Sequence, residues 1–133
     1  MSFNLDDIRT DADLELNGFW YSIGDAKLKI ARLGNLNYRR VMREKLPDYL
    51  RETVDEDLRD KLIGEVIGAT LLVGWEDLLE NGKELPYSKR TAIRLMTSPE
   101  YKDLRDFVVE QANTADNYRV YRAEEIKKKL DEL

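Results

Sequence analysis

The sequence reads as a mainly α-helical α+β domain, an N-terminal three-stranded antiparallel meander followed by about four to five helices. Three observations carry that reading. Between Leu14 and Ala31 apolar and polar residues alternate, and Asn17-Gly18 and Gly24-Asp25 interrupt the alternation with dipeptides suited to tight hairpin turns. Beyond Asn35 the apolar spacing changes to three and four, the period of a helix. Residues able to cap a helix precede later apolar runs at Asn35, Ser88 and Ser98, and an acidic cluster opens another near Asp55. A chain of 133 residues supplies one core and not two.

Residues 1–12 are polar and acidic, with Phe3, Leu5 and Ile8 as isolated apolar points, and are expected to form a loosely ordered arm that could order on a partner. Residues 13–133 are expected to form the single globular domain. Its first strand holds Leu14 and Leu16 about Glu15, its second is the aromatic run Phe19-Trp20-Tyr21-Ser22-Ile23, and its third sets Lys27, Lys29 and Ala31 against Leu28 and Ile30. Asn35 then caps a helix with Tyr38, Val41, Met42 and Leu46 on one face. Pro47 disfavours the helical conformation at Leu46 and marks a helix end or kink there, with Asp48 to Glu52 as a further turn.

A longer helix is expected from Asp55 to about Leu79. The acidic cluster Asp55-Glu56-Asp57 suits the positive end of its dipole, and Leu58, Leu62, Ile63, Val66, Ile67, Leu71, Leu72 and Trp75 cover more than one stripe, as in a buried central element. Gly64, Gly68 and Ala69 weaken helix propensity, which is compensated if another backbone packs closely there. Glu80 to Lys83 is a turn, Pro86 keeps Glu84 to Tyr87 extended, and Ser88 caps a short helix carrying Ala92, Ile93, Leu95 and Met96. Ser98-Pro99-Glu100 starts an amphipathic helix over about 99–131. Its stripe of Tyr101, Leu104, Val108, Gln111, Ala112 and Ala115 weakens past Asn113-Thr114 and resumes at Ile126, Leu130 and Leu133, where Glu124 to Lys128 and Glu125 to Lys129 are i, i+4 pairs.

Composition removes much chemistry. With no cysteine and no histidine, disulfides, thiolate nucleophiles, zinc fingers, His-based triads and facial-triad iron sites are excluded. Gly82-Lys83 is followed by Glu84 and has no glycine five residues before it, so it is no phosphate loop. A calcium loop centred on Gly82 would put Leu79 and Ser88 where oxygen ligands and a glutamate are required. Ser22, Ser88 and Ser98 have no activating base, and Asp55-Glu56-Asp57 and Glu76-Asp77 read as helix ends or solvated acids. No catalytic residue, metal site or cofactor is therefore expected, and the chain is read as a non-enzyme.

The formal net charge of −5 disfavours a polyanionic partner. The basic groups Arg39, Arg40, Arg43, Lys45 and Lys127 to Lys129 lie among Glu44, Asp48, Glu124, Glu125 and Asp131, as on solvated helix faces. Leu62 to Trp75, which contains Glu65, is shorter than the roughly 20 residues a bilayer span takes. The first residues carry neither the basic nor the apolar region of a secretion signal. Neither nucleic acid nor membrane is expected as a partner.

The aromatic residues point instead to protein contact. Phe19, Trp20 and Tyr21 put adjacent rings on opposite faces of a strand, so at least one ring faces away from the sheet's buried side and needs a helix or a partner to cover it. Trp75 and Tyr87 are candidates for core anchors or contact anchors.

The order of these features resembles the tail assembly chaperones of long-tailed bacteriophages. The matching stretches are Gly18-Phe19-Trp20-Tyr21-Ser22-Ile23 and Leu28 to Leu33 leading into Asn37-Tyr38. More specific are Leu72-Val73-Gly74-Trp75-Glu76-Asp77-Leu78 and Asn81 to Ser88, followed by Ala92 and Leu95 and by a closing helix with Tyr101, Leu104, Phe107, Val108, Ala112 and Tyr118. The resemblance implies a protein that works in the host cytoplasm, binds the tape measure protein, keeps it soluble, helps recruit tail tube subunits and is absent from the mature virion. Members often also occur in a longer, frameshifted form, and a chain ending at Leu133 would correspond to the short one or to a member without a long one. The contact residues expected on this reading are Phe19, Trp20, Tyr21, Trp75, Leu85, Pro86, Tyr87, Ile126 and Leu130, and self-association into a homo-oligomer is compatible with it. Its rivals are a structural virion component, such as a head-tail connector or tail-completion protein, and a metal-dependent carboxylate enzyme.

Overall fold

The computed structural model describes residues 2–132. Asp11 opens the body of the fold: its carboxylate accepts the Leu14 N–H at 2.9 Å and caps α1 (Ala12–Asn17). The strand expected at Leu14 to Leu16 is thus a helical turn. Asp13 and Glu15 lie at its positive end, and the local cap outweighs the period-two pattern. Gly18 ends it at a φ of 97°, so Asn17-Gly18 is a helix stop and not a hairpin turn. A Cβ at Gly18 would stand 3.0 Å from the Ile30 carbonyl carbon.

β1 (Phe19–Ile23) and β2 (Ala26–Ile30) form the expected antiparallel hairpin across Gly24-Asp25, with Ile23 opposite Ala26. α2 (Leu36–Lys45) is capped by the Asn35 side chain, which accepts the Tyr38 N–H at 2.9 Å, and it stops at Leu46 before Pro47. A short α3 (Asp48–Arg51) follows. Asp55 caps α4 (Glu56–Thr70) by accepting the Leu58 N–H at 2.8 Å.

Here the structure departs from the long helix expected to reach Leu79. α4 ends at Thr70, and the apolar run beyond it becomes β3 (Leu72–Glu76), antiparallel to β2 with Trp75 opposite Leu28 and Glu76 opposite Lys27. A short apolar run is ambiguous between strand and helix, and pairing with β2 decides it here. The sheet is three-stranded and antiparallel in the order β1-β2-β3, but its third strand arrives from beyond α4, so it is no consecutive meander. β4 (Leu79–Glu80) and β5 (Lys83–Glu84) then form a small hairpin whose turn residues, Asn81 and Gly82, have φ of 53° and 75°.

Ser88 caps α5 (Lys89–Thr97) by accepting the Thr91 N–H at 3.0 Å. Pro99–Tyr101 is a 3-10 turn leading into α6 (Lys102–Ala112), and the Ser98 hydroxyl, expected to cap a helix here, makes no cap bond because the chain enters through this tighter turn. The single helix expected over 99–131 is broken, because a second 3-10 turn at Ala115–Tyr118 separates α6 from α7 (Val120–Asp131). The break seats Tyr118, fully buried, with its hydroxyl donating to the Ile30 carbonyl at 3.1 Å and its ring edge-to-face with Phe19 at 5.3 Å. Leu133, expected to end the stripe, lies outside the described residues.

The result is a mainly helical α+β fold whose helices cover one face of the sheet. Leu28, Ile30, Leu71, Leu72, Met96, Val108 and Tyr118 fill the core. α4 and α5 approach closely at the two glycines singled out above: a Cβ on Gly68 would stand 2.5 Å from the Ile93 Cα, and one on Gly64 2.7 Å from the Met96 carbonyl oxygen. The other face of the sheet leaves Trp20, Ser22, Lys27 and Glu76 exposed. The arm from Ser2 to Arg9 is exposed throughout, with a 3-10 turn at Leu5–Asp7. It is fastened at its root, where the Asp11 N–H donates to the Tyr118 carbonyl at 2.7 Å and the Val120 N–H to that of Arg9 at 2.9 Å.

Candidate functional site

Alternation along β1 separates its three rings. Phe19 and Tyr21 turn inward, Phe19 onto Tyr118 and Tyr21 edge-to-face with Phe107 at 5.2 Å. Trp20 points to the open face and stays 44% exposed. Its indole lies over Gly74, within 3.6 Å of where a Cβ would stand, and the Lys29 ammonium sits 5.6 Å from a ring centroid. Internal helices therefore cover two of the rings and leave the third for solvent or a partner.

Beside Trp20 a cleft of about 300 Å³ opens between β1 and α7, lined by Phe19, Trp20, Tyr21 and Ser22 on one side and by Asn117, Arg122, Glu125, Ile126 and Lys129 on the other. The first turn of α7 is held by Asp116, which pairs with Arg122 at 3.1 Å and accepts the Tyr121 hydroxyl. The Tyr121 hydroxyl and the Arg122 guanidinium hold the Asp116 carboxyl below its ordinary range. Further along α7, Ala123 packs against the core, while Ile126 and Leu130 remain 45% and 64% exposed.

A second surface surrounds Trp75. The indole is buried, its N–H donates to the Leu85 carbonyl at 2.6 Å, and Tyr87 packs on it edge-to-face at 4.9 Å. Trp75 thus fastens the extended Leu85-Pro86-Tyr87 segment to the sheet. Leu85 is half-buried, Pro86 exposed and Tyr87 partly so, and burial raises the Tyr87 hydroxyl above its ordinary value. An apolar pit of about 140 Å³ lies alongside, lined by Leu78, Leu79, Leu85, Leu95, Tyr101 and Leu104, with Glu80 also in its wall.

Glu80 receives both arms of the Arg94 guanidinium, at 2.7 and 3.1 Å, and the Tyr101 hydroxyl. Arg94 first, then Tyr101, lowers the Glu80 carboxyl from its ordinary value, and the bond to Glu80 raises the Tyr101 hydroxyl. Sequence reasoning missed this cluster because its members come from β4, α5 and the 3-10 turn before α6, with no local pattern joining them.

The nine contact residues expected from the sequence thus fall into two groups. Phe19, Trp20, Tyr21 and Ile126 meet at the β1–α7 cleft, with Leu130 one turn further along α7. Trp75, Leu85, Pro86 and Tyr87 meet at the β3 edge of the sheet, across from β1. Phe19 and Trp75 are buried and serve as anchors beneath these surfaces, so the rings among these nine that stay exposed are Trp20 and Tyr87. Among the described residues no three metal-ligating side chains gather, and no helix is long and apolar enough to cross a membrane.

The model of a family described as YdaY prophage protein matches residues 33–129. The matched stretch contains the whole Trp75 surface and Ile126, and it begins after the β1–β2 hairpin. No curated protein and no solved structure matches the chain.

Proposed function

The chain belongs to the YdaY prophage protein family, and on that premise we propose that it is a tail assembly chaperone, binding the tape measure protein, keeping it soluble and helping to recruit tail tube subunits. The observation that carries this reading is the pairing of exposed Trp20 on β1 with exposed Ile126 and Leu130 on α7, on a small domain whose charge is otherwise dense. Covering one such side chain gains about 1.5–3 kcal/mol. Association itself costs several kcal/mol, so three side chains give weak, reversible contact at each site.

Weak contact repeated along a long apolar-striped helix shields that helix from other copies without trapping it. The formal charge of −5 adds repulsion between coated complexes. On this reading the protein acts in the host cytoplasm, uses no cofactor, catalyses nothing and leaves before the virion is complete.

Co-expression with overlapping segments of the tape measure protein tests the proposal. The parent chain should retain at least one segment in the soluble fraction and co-purify with it, and Trp20→Ser combined with Ile126→Asp should lose it. Absence of any co-purifying segment contradicts the chaperone role, and recovery of the chain in purified particles assigns it to the virion as a structural component.

A further inference from the structure

We propose that the free edge of β1 is a slot for the N-terminal arm of a second copy of this chain, so that two copies exchange arms. The inference does not rest on the tape measure reading.

β1 is the outer strand of the sheet and pairs on one side only. Across a two-residue turn the flanking pair, Ile23 and Ala26, is the hydrogen-bonded one, and antiparallel pairs alternate from there. Tyr21 and Phe19 therefore direct their backbone groups to β2, while Trp20 and Ser22 direct theirs outward. Among the described residues no backbone bond from another segment reaches Trp20 or Ser22. Four consecutive strand residues, Phe19 to Ser22, line the cleft, as happens along the edge of a strand whose side chains alternate between faces. With α7 as the opposite wall, the opening suits one extended segment and not the edge of another sheet.

Charge is compatible with that occupant. On the α7 wall Arg122 is paired with Asp116 and Lys129 stands with Glu125, while Lys27 and Lys29 stand on the adjoining open face with Glu76 opposite Lys27, which leaves a slight cationic excess here in an acidic chain. The arm is its complement. Before Arg9 it carries Asp6 and Asp7 and no basic side chain, and Phe3 and Leu5 are 69% and 71% exposed, with no neighbour covering them. The internal pair Asp6–Arg9, at 3.6 Å and well exposed, opposes extension only weakly.

Geometry favours exchange. The arm's root at Arg9 to Asp11 is bonded to Tyr118 and Val120, within the segment that joins Asn117 to Arg122 at the slot. In the structure the arm lies outside its own slot, with Phe3 and Leu5 exposed, and extended at about 3.3 Å per residue it spans roughly 20 Å, enough to enter the slot of a copy related by a two-fold axis. Each copy then gives one strand and receives one.

Sedimentation of the full chain, against a variant lacking residues 2–8, tests this. The full chain should be a concentration-dependent dimer and the shortened one a monomer. Ser22→Pro, which removes an outward N–H that an edge strand can spare, should give a monomer with unchanged far-UV circular dichroism. Lys129→Glu should weaken dimerisation about tenfold, and adding Asp7→Lys should restore it. If the proline variant fails to fold, the arm deletion and the charge exchange still decide the matter. A full chain that stays monomeric up to millimolar concentration, or a dimer that survives loss of the arm, overturns the proposal. Either result leaves tape measure binding to be judged by its own assay.

Discussion

Gly68 sets how closely α4 and α5 can lie, because the atoms a side chain would strike are the Ile93 Cα and N, at 2.5 and 2.7 Å, which cannot swing aside. Gly68→Ala should therefore destabilise the fold by about 1–3 kcal/mol despite the better helix propensity of alanine, as read by urea denaturation. The small residues of α4 announced a close approach in the sequence, but its partner could be seen only once α5 was in place. Glu80 is a different case, whose effect depends on pH. Arg94 and Tyr101 lower its carboxyl in the folded chain, so the stability it contributes is complete above the unfolded-state value near 4.5 and is lost as pH falls through the lower folded-state value. Glu80→Gln should be less stable than the parent at pH 7, and the gap should narrow by about pH 3; a gap that is constant with pH would show that the Glu80 charge contributes nothing.

Elements defined by local caps were legible in the sequence. Asn35 and Ser88 each accept the backbone N–H three residues on, as their positions indicated, Asp55 does the same although it read only as an acid at the helix start, and Ser98 makes no cap bond. Elements decided by distant contacts were not. Nothing local distinguishes Leu72–Glu76 from a continuation of α4, and it becomes a strand because β2 offers it an edge. Leu14 and Leu16 suggested a strand, although Asp11 three residues before Leu14 was a capping signal of the same kind as the others. The break between α6 and α7 turns on Tyr118, whose hydroxyl bonds a carbonyl 88 residues away. Tyr118→Phe should cost about 1–2 kcal/mol in thermal or urea unfolding by leaving the Ile30 carbonyl without that donor. Trp75→Phe keeps the ring but loses the bond to Leu85, and it should cost a similar amount while making the Leu85 to Tyr87 segment the first site cut in limited proteolysis.

For the molecule as a whole, the sequence is that of a small, densely charged domain with no histidine and no cysteine, and family membership places it among prophage proteins. That one ring of β1 stays exposed was legible in the sequence, because strand alternation separates Trp20 from its neighbours. The slot beside it was not, since it exists only where α7 returns along β1. The two exposed surfaces lie on either side of a shared core, so a substitution that loosens the core should weaken both, whereas Trp20→Ser should affect one. The central claim is that an apolar surface on this charged domain keeps a larger helical client from self-associating. The most direct measurement is light scattering from a purified tape measure segment diluted out of denaturant into solutions of the chain or its Trp20→Ser variant. The parent should suppress scattering in proportion to its concentration and the variant should do so less. Scattering that rises equally with and without the parent chain would contradict the claim.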